Sequence, residues 1–134
     1  MTVIDEIEAK LKRRPEIRYE IGQNRICVPA ASDHGFPVEL VVNRDAFIVS
    51  FSGWHEEFSD KDDAMNCFAF GLSRDCRLKV SRYGSFEYKW TVESSENGVW
   101  VEDSTTGLLM FPLCRTNYLY LQNDLISGSR TPEE

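Results

Sequence analysis

The two histidines are the first residues to test for catalytic chemistry, because each lies in a run of other reactive side chains. His34 directly follows Ser32 and Asp33, and Ser, Asp and His are the components of a hydrolase triad. Side chains of adjacent residues point apart, however, whereas a triad is assembled from distant segments. The chain also has no G-x-S-x-G sequence that would present a nucleophile. We therefore interpret residues 31–37 as a polar loop and predict no catalytic residue.

The densest acidic cluster follows the second histidine and is a candidate for metal binding. Together with the histidine itself, the candidate ligands are His55, Glu56, Glu57, Asp60, Asp62 and Asp63. Carboxylates can hold a divalent cation, but the spacing matches neither an EF-hand loop nor an HExxH helix. Acids at the start of a helix are also explained by the helix dipole. The glycines are isolated and form no phosphate cradle, so we predict neither a metal site nor a cofactor.

The four cysteines bear on the compartment of the protein. Cys27, Cys67, Cys76 and Cys114 are spread through the chain without a CxxC pair. The N-terminal residues include acids at positions 5, 6 and 8, which is unlike a secretory signal. A domain of this size does not need disulfides to fold. We therefore expect free thiols in a cytoplasmic protein.

Charge and hydropathy exclude two further classes of partner. The 134 residues include 15 basic and 22 acidic side chains, giving a net charge of −7 and a pI of about 4.9. General nucleic-acid binding needs a basic surface, so we predict no nucleic-acid partner. No stretch approaches the roughly 18–20 apolar residues of a membrane span, so we predict no membrane association.

Two helices are predicted from capping signals and apolar periodicity. Thr2 and Asp5 resemble a capping box, and Pro15 ends the first helix. Ser59 and Asp62 form a similar pair before the second helix. Residues 64–72 of this helix are apolar around nearly the whole circumference, which predicts that it is covered on several sides. We expect the second helix to be largely buried, with Phe68 fully buried.

Alternating apolar and polar residues predict strands after each helix. The segments are 17–21, 25–30, 38–42 and 46–52 in the first half, and 76–80, 86–92, 99–103, 108–112 and 118–122 in the second. Their connections are short, which favours antiparallel pairing. The sequence therefore predicts an α+β fold with antiparallel meander sheets and two helices, in the order α-ββββ-α-ββββ, where the second group of strands counts four or so and is drawn from the five candidate segments. Residues 1–126 are predicted to form a single domain and residues 127–134 a disordered tail. Whether the two halves are a structural repeat stays open.

Several aromatic residues are hard to assign to the core, and they mark a candidate binding surface. Trp100 is out of phase with its valine neighbours, and Trp54 follows the strand-breaking Gly53. Exposed Trp and Tyr are enriched at protein interfaces. The candidate binding residues are Phe36, Trp54, His55, Trp100 and Tyr118. The alternative that the aromatic residues cover a second small core stays open at this stage.

Two functions agree with these features. The first is a small acidic adaptor or chaperone-like module that binds another polypeptide, or a second copy of itself as a homodimer, through a sheet face or edge. The order helix, strands, helix, strands, with the low pI and small size, broadly resembles small acidic secretion-chaperone domains, and this resemblance implies a polypeptide partner. The alternative is a small-molecule-binding α+β domain with a pocket beside helix 60–72, with His34, His55 or Glu57 at its mouth.

Overall fold

A computed structural model of the protein describes residues 2–107 and 116–126. The described chain contains the following elements: α1 (Val3–Leu11), β1 (Glu20–Gly22), β2 (Arg25–Val28), β3 (Val38–Asn43), β4 (Ala46–Phe51), β5 (Trp54–Phe58), α2 (Lys61–Leu72), β6 (Cys76–Tyr83), β7 (Phe86–Glu96), β8 (Val99–Gly107) and β9 (Asn117–Gln122). The α+β class and the antiparallel sheets are those predicted from the sequence. The predicted strand 108–112 and the predicted tail 127–134 lie outside the described residues.

Side-chain caps fix the start of both helices. The hydroxyl of Thr2 accepts a hydrogen bond from the backbone N–H of Asp5 at 3.1 Å, and the Asp5 carboxylate accepts one from the N–H of Thr2 at 3.2 Å. The predicted capping box of α1 is therefore confirmed. In α2 the N-cap is Asp60 rather than Ser59, and its carboxylate accepts from the N–H of Asp63. The one-residue shift is unsurprising because Asp and Ser cap helices equally well.

The first sheet has five antiparallel strands in sequence order, one more than predicted. The additional strand is β5, which pairs with β4 because Ser52 and Gly53 form a two-residue turn that places Phe51 opposite Trp54. Ser52 has a φ of +55° in this turn, so Gly53 marks a hairpin and not the end of the sheet. The first strand is shorter than predicted, because Ile17 belongs to a turn in which its N–H donates to the carbonyl of Arg14.

The second sheet has four antiparallel strands in the order β8-β7-β6-β9. The predicted hairpin of β6 and β7 is present, with Leu78 opposite Val92 and Val80 opposite Trp90. The strand β9 does not pair with β8. It lies on the far side of β6, where Leu119 is opposite Val80. Within the described part of the chain, β8 and β9 are therefore the outermost strands of this sheet.

The core lies between the inner faces of the sheets and α2. Helix α2 packs against β3, β4, β5 and β6, which explains its nearly continuous apolar surface. Phe68 is 3% exposed, as expected, and the residues of α2 that face solvent lie mostly in its first turn. Next to the helix, the ring of Phe51 lies 5.3 Å from that of Phe36 and 4.6 Å from that of Trp54. Among the described residues, neither helix has the length and apolar character needed to cross a membrane.

Candidate functional site

The outer face of the four-stranded sheet, which points away from α2, collects aromatic and cationic side chains from three strands. Because β6 alternates, Leu78 and Val80 point into the core while Arg77 and Lys79 point outward. The same alternation in β9 places Tyr120 opposite Lys79 on this face. On β8, Trp100 lies opposite Ser95 of β7. Strand pairing thus brings residues that are distant in sequence onto one surface.

Arg77 lies between two aromatic rings that come from opposite edges of the sheet. Its guanidinium carbon is 4.4 Å from the ring centre of Trp100 and 4.3 Å from that of Tyr120. Both distances are within the range of cation–π attraction. Trp100 belongs to β8 and Tyr120 to β9, so this one side chain connects the two edge strands across β7 and β6.

The guanidinium of Arg77 is held in place by Glu93 of β7. The Nε of Arg77 donates to Glu93 Oε1 at 2.8 Å, and Nη2 lies 2.6 Å from the same oxygen. The Glu93 side chain is only 7% exposed, and a carboxylate this buried requires a paired cation. The ion pair of Arg77 and Glu93 therefore fixes the position and orientation of the guanidinium between the two rings.

A second, looser row runs beside the first. The Nζ of Lys79 lies 4.4 Å from the ring centre of Tyr118 and 3.6 Å from Oε2 of Glu102. Glu102 is 64% exposed, so its attraction to Lys79 is screened by water. Glu102 also lies opposite Glu93 in the strand pairing, and the two cations offset the repulsion between these carboxylates.

We call the set of Arg77, Lys79, Trp100, Tyr118 and Tyr120 the aromatic face. Tyr118 is 50% exposed and Tyr120 is 46% exposed, while Trp100 is half-buried. Tyrosine and tryptophan rings bury a large apolar area and lose little conformational entropy on binding. The arrangement is suited to holding the flat or apolar side chains of a partner, and it contains no nucleophile paired with a base.

The five predicted binding residues are divided between this surface and the rest of the molecule. Trp100 and Tyr118 lie on the aromatic face. Phe36 and Trp54 are 1% and 2% exposed and lie in the core, because the Ser52–Gly53 turn puts Trp54 in phase with buried Phe51. The indole N–H of Trp54 donates to the hydroxyl of Ser104 at 3.1 Å. Both residues belong to the main buried cluster, together with Phe51 and Phe68, and not to a second small core.

His55 is exposed on β5, in the other sheet, and does not belong to the aromatic face. Its backbone N–H and carbonyl both bond to the hydroxyl of Thr106. His34 is exposed in its loop, where its N–H donates to the hydroxyl of Ser32. Within residues 2–107 and 116–126, neither imidazole is held against a nucleophile by a hydrogen bond that would activate it.

Within the acidic cluster, the side chain of Asp60 caps the start of α2. Among residues 2–107 and 116–126, no three His, Cys, Asp or Glu side chains are placed to hold a metal ion.

Cys27, Cys67 and Cys76 carry free thiols, while Cys114 lies outside the described ranges. Burial raises the pKa of the Cys67 thiol to about 12, with smaller contributions from Glu56 and Asp103. Such a thiol stays protonated at neutral pH and is a poor nucleophile.

Three members of the aromatic face were not predicted as binding residues. The sequence identifies Arg77 and Lys79 as outward-facing, but a solvated sheet face explains that pattern equally well. Tyr120 carries a usable signal, since it is two residues from Tyr118 and must share its face. The alternation of residues in the sequence does not indicate the strand order, in which β9 lies beside β6.

A separate groove of about 620 Å³ lies at the beginning of both helices. Its walls are the first turn of α1, the β1–β2 and β3–β4 turns, and the approach to α2. Lys61 is the residue of α2 that lines it, and His34, His55 and Glu57 do not. Apolar residues form the floor, with Arg44 and Lys61 among the polar residues around them.

Comparison of this chain with protein-family models, with curated proteins and with solved structures gave no match.

Proposed function

We propose that this protein is a small acidic, cytoplasmic protein-interaction module that binds a segment of another polypeptide, or of a second copy of itself, through the aromatic face. The observation that carries the proposal is the position of Arg77 between the rings of Trp100 and Tyr120. Arginine, tryptophan and tyrosine are the residues most enriched at the energetic centres of protein interfaces.

The rigidity of this arrangement supports binding. Arg77 is anchored by the buried carboxylate of Glu93, so Trp100 and Tyr120 are held against a side chain that is already ordered. A partner that stacks on these rings therefore loses less side-chain entropy than it would on mobile residues. The exposed parts of Tyr118 and Tyr120 supply the apolar area, and their hydroxyls can bond to a partner backbone.

Charge argues against a nucleic-acid strand as the partner. Aromatic rings beside cations also occur in single-strand binding proteins, where free cations follow the phosphates. Here Arg77 is neutralised by Glu93 and Lys79 lies near Glu102. The chain as a whole carries a charge of −7, which repels a polyanion. A polypeptide segment with aromatic or proline side chains suits this face better.

The test is selection of binding peptides from a displayed random library, with sedimentation analysis for self-association. We expect selected peptides, or the self-associated state, to be lost in a Trp100→Ala/Tyr120→Ala double variant. Tyr83→Ala is the matched control, since this tyrosine is similarly exposed at 49% but lies at the end of β6. Equal binding by the double variant and the control contradicts the proposal, and so does a monomer that selects no peptide.

A second candidate function is the binding of a small molecule beside α2. The observation that favours it is the groove of about 620 Å³ at the start of this helix, a volume within the range of about 300–1,000 Å³ found for ligand sites. Its test is given with the ligand class below.

A further inference from the structure

The groove has an apolar floor that is part of the hydrophobic core. Val3 is 5% exposed, and Ile4, Val42 and Phe47 pack against the core from partly buried positions. These residues come from α1, β3 and β4, which are held together by the sheet and by the packing of the helix. The floor is therefore an apolar surface backed by the core, and covering its exposed part with an apolar ligand is favourable.

Arg44 lines the groove, and its side chain is exposed. It occupies the turn between β3 and β4 with a φ of +59°, a conformation that non-glycine residues seldom adopt. Among the described residues, no carboxylate lies within ion-pair distance of its guanidinium. Its charge is thus available to a ligand.

Lys61 provides a second cation among the residues that line the groove. Its Nζ lies 2.8 Å from Oε2 of Glu6, with the two side chains 45% and 27% exposed. An ion pair this exposed contributes little stability, so the ammonium can turn to an anion at small cost. Asp45 is the single acidic residue among those that line the groove. Among the lining residues, the two cations Arg44 and Lys61 thus outnumber Asp45, while Glu6, Asp60 and Asp62 lie close to Lys61.

We infer that the groove binds an amphiphile with an apolar chain and one anionic head, of the medium-chain carboxylate class. The chain lies over Val42 and Phe47, and the head is held by Arg44 and Lys61. This inference rests on the second candidate function, since it names the ligand class of that site. It is independent of the aromatic face, which lies on the other sheet.

The first arm of the test compares ligands that differ only in the head. Calorimetry with decanoate, decanol and decyltrimethylammonium should give an affinity for decanoate about tenfold above that for decanol, with the cation weakest. Equal binding of decanoate and decanol overturns the anionic head but leaves small-molecule binding intact. Binding of none of the three overturns both. Either result leaves the polypeptide proposal unaffected, because polypeptide binding is tested with variants of the aromatic face.

The second arm removes the rim charge without straining the fold. Arg44→Gly suits a φ of +59°, so the variant should fold with unchanged or higher stability. Its affinity for decanoate should fall about fivefold while that for decanol is unchanged. Lys89→Gln, on the four-stranded sheet, is the matched control and should bind decanoate as the unmodified protein does. Unchanged affinity in Arg44→Gly overturns the inference. Ile4→Gln checks the floor, since it should weaken decanoate and decanol alike.

Discussion

The side chain of Asn123 hydrogen-bonds both backbone polar groups of Phe36, although the two residues lie 87 positions apart. Its carbonyl oxygen accepts from the N–H of Phe36 at 3.1 Å, and its amide nitrogen donates to the Phe36 carbonyl at 3.0 Å and to the Gly71 carbonyl at 2.9 Å. Asn123 is 3% exposed. One amide therefore ties the residue after β9 to the loop before β3 and to the end of α2.

Replacing this amide should destabilise the protein strongly. Asn123→Ala leaves the three backbone groups buried without partners, and each such group costs about 1–3 kcal/mol. We expect the free energy of unfolding to fall by about 3 kcal/mol in urea titration, with an unchanged m value. Asn117→Ala is the matched control, because that amide bonds at the surface to Arg82 and Gly84, and it should cost less than about 1 kcal/mol. Similar losses of stability in the two variants would show that the buried hydrogen bonds of Asn123 contribute no more than the exposed hydrogen bonds of Asn117.

Gly71 near the end of α2 should resist a substitution that ordinarily strengthens a helix. Glycine to alanine within a helix is normally favourable by about 1 kcal/mol. A methyl group at Gly71, however, would come within 2.6 Å of Cζ of Phe51, and that ring is fully buried between Phe36 and Trp54. We expect Gly71→Ala to lower the free energy of unfolding by about 1–3 kcal/mol through overpacking. A stabilised variant, measured by thermal unfolding, would contradict the close contact.

The contribution of α2 to the core can be measured at Phe68. This ring is 3% exposed against the inner faces of the sheets, so Phe68→Ala should cost about 3–5 kcal/mol. Asn66→Ala, on the exposed side of the same helix, should change stability by less than about 0.5 kcal/mol. A loss below about 1 kcal/mol for Phe68→Ala would show that the helix is not central to the fold.

Alkaline pH should destabilise the protein through Cys67. Burial raises the pKa of this thiol to about 12, whereas an unfolded cysteine has a pKa near about 8.5. Between these values the unfolded chain releases the proton and the native chain keeps it. The free energy of unfolding therefore falls as the pH rises from about 9 towards 12. Urea titrations across this window should show a shallower decline for Cys67→Ala, and identical declines would contradict the shifted pKa.

Local features of the fold could be predicted because neighbouring residues determine them. The reciprocal bonds of Thr2 and Asp5 need only a four-residue segment, and the alternation of Leu78 and Val80 with Arg77 and Lys79 fixes which side chains face outward. The burial of Phe68 followed from an apolar surface too wide for one contact. These inferences use the geometry of single helices and strands alone.

The long-range relationships could not be predicted, because they depend on which strands are neighbours. Short connections favour pairing along the sequence, which would place β9 beside the predicted strand 108–112, whereas it pairs with β6. Only that order brings Tyr120 over Arg77. Trp54 was assigned to the binding surface for a different reason. A strand that ends at Gly53 and a two-residue hairpin at Ser52–Gly53 have similar sequences, and the structure has the hairpin. Asn123 gave no signal, because an isolated asparagine is far more often at the surface.

The strand order β8-β7-β6-β9 also has a consequence during synthesis on the ribosome. Strand β6 emerges before β7, which can pair with it as soon as it follows, but the other edge of β6 does not meet β9 until residues 117–122 have left the exit tunnel. Until then the nascent chain presents a long strand with unpaired backbone groups, which is a template for mispairing with other chains. The last described strand therefore covers this edge of β6, and the time needed to translate the residues between β6 and β9 sets how long that edge stays unpaired.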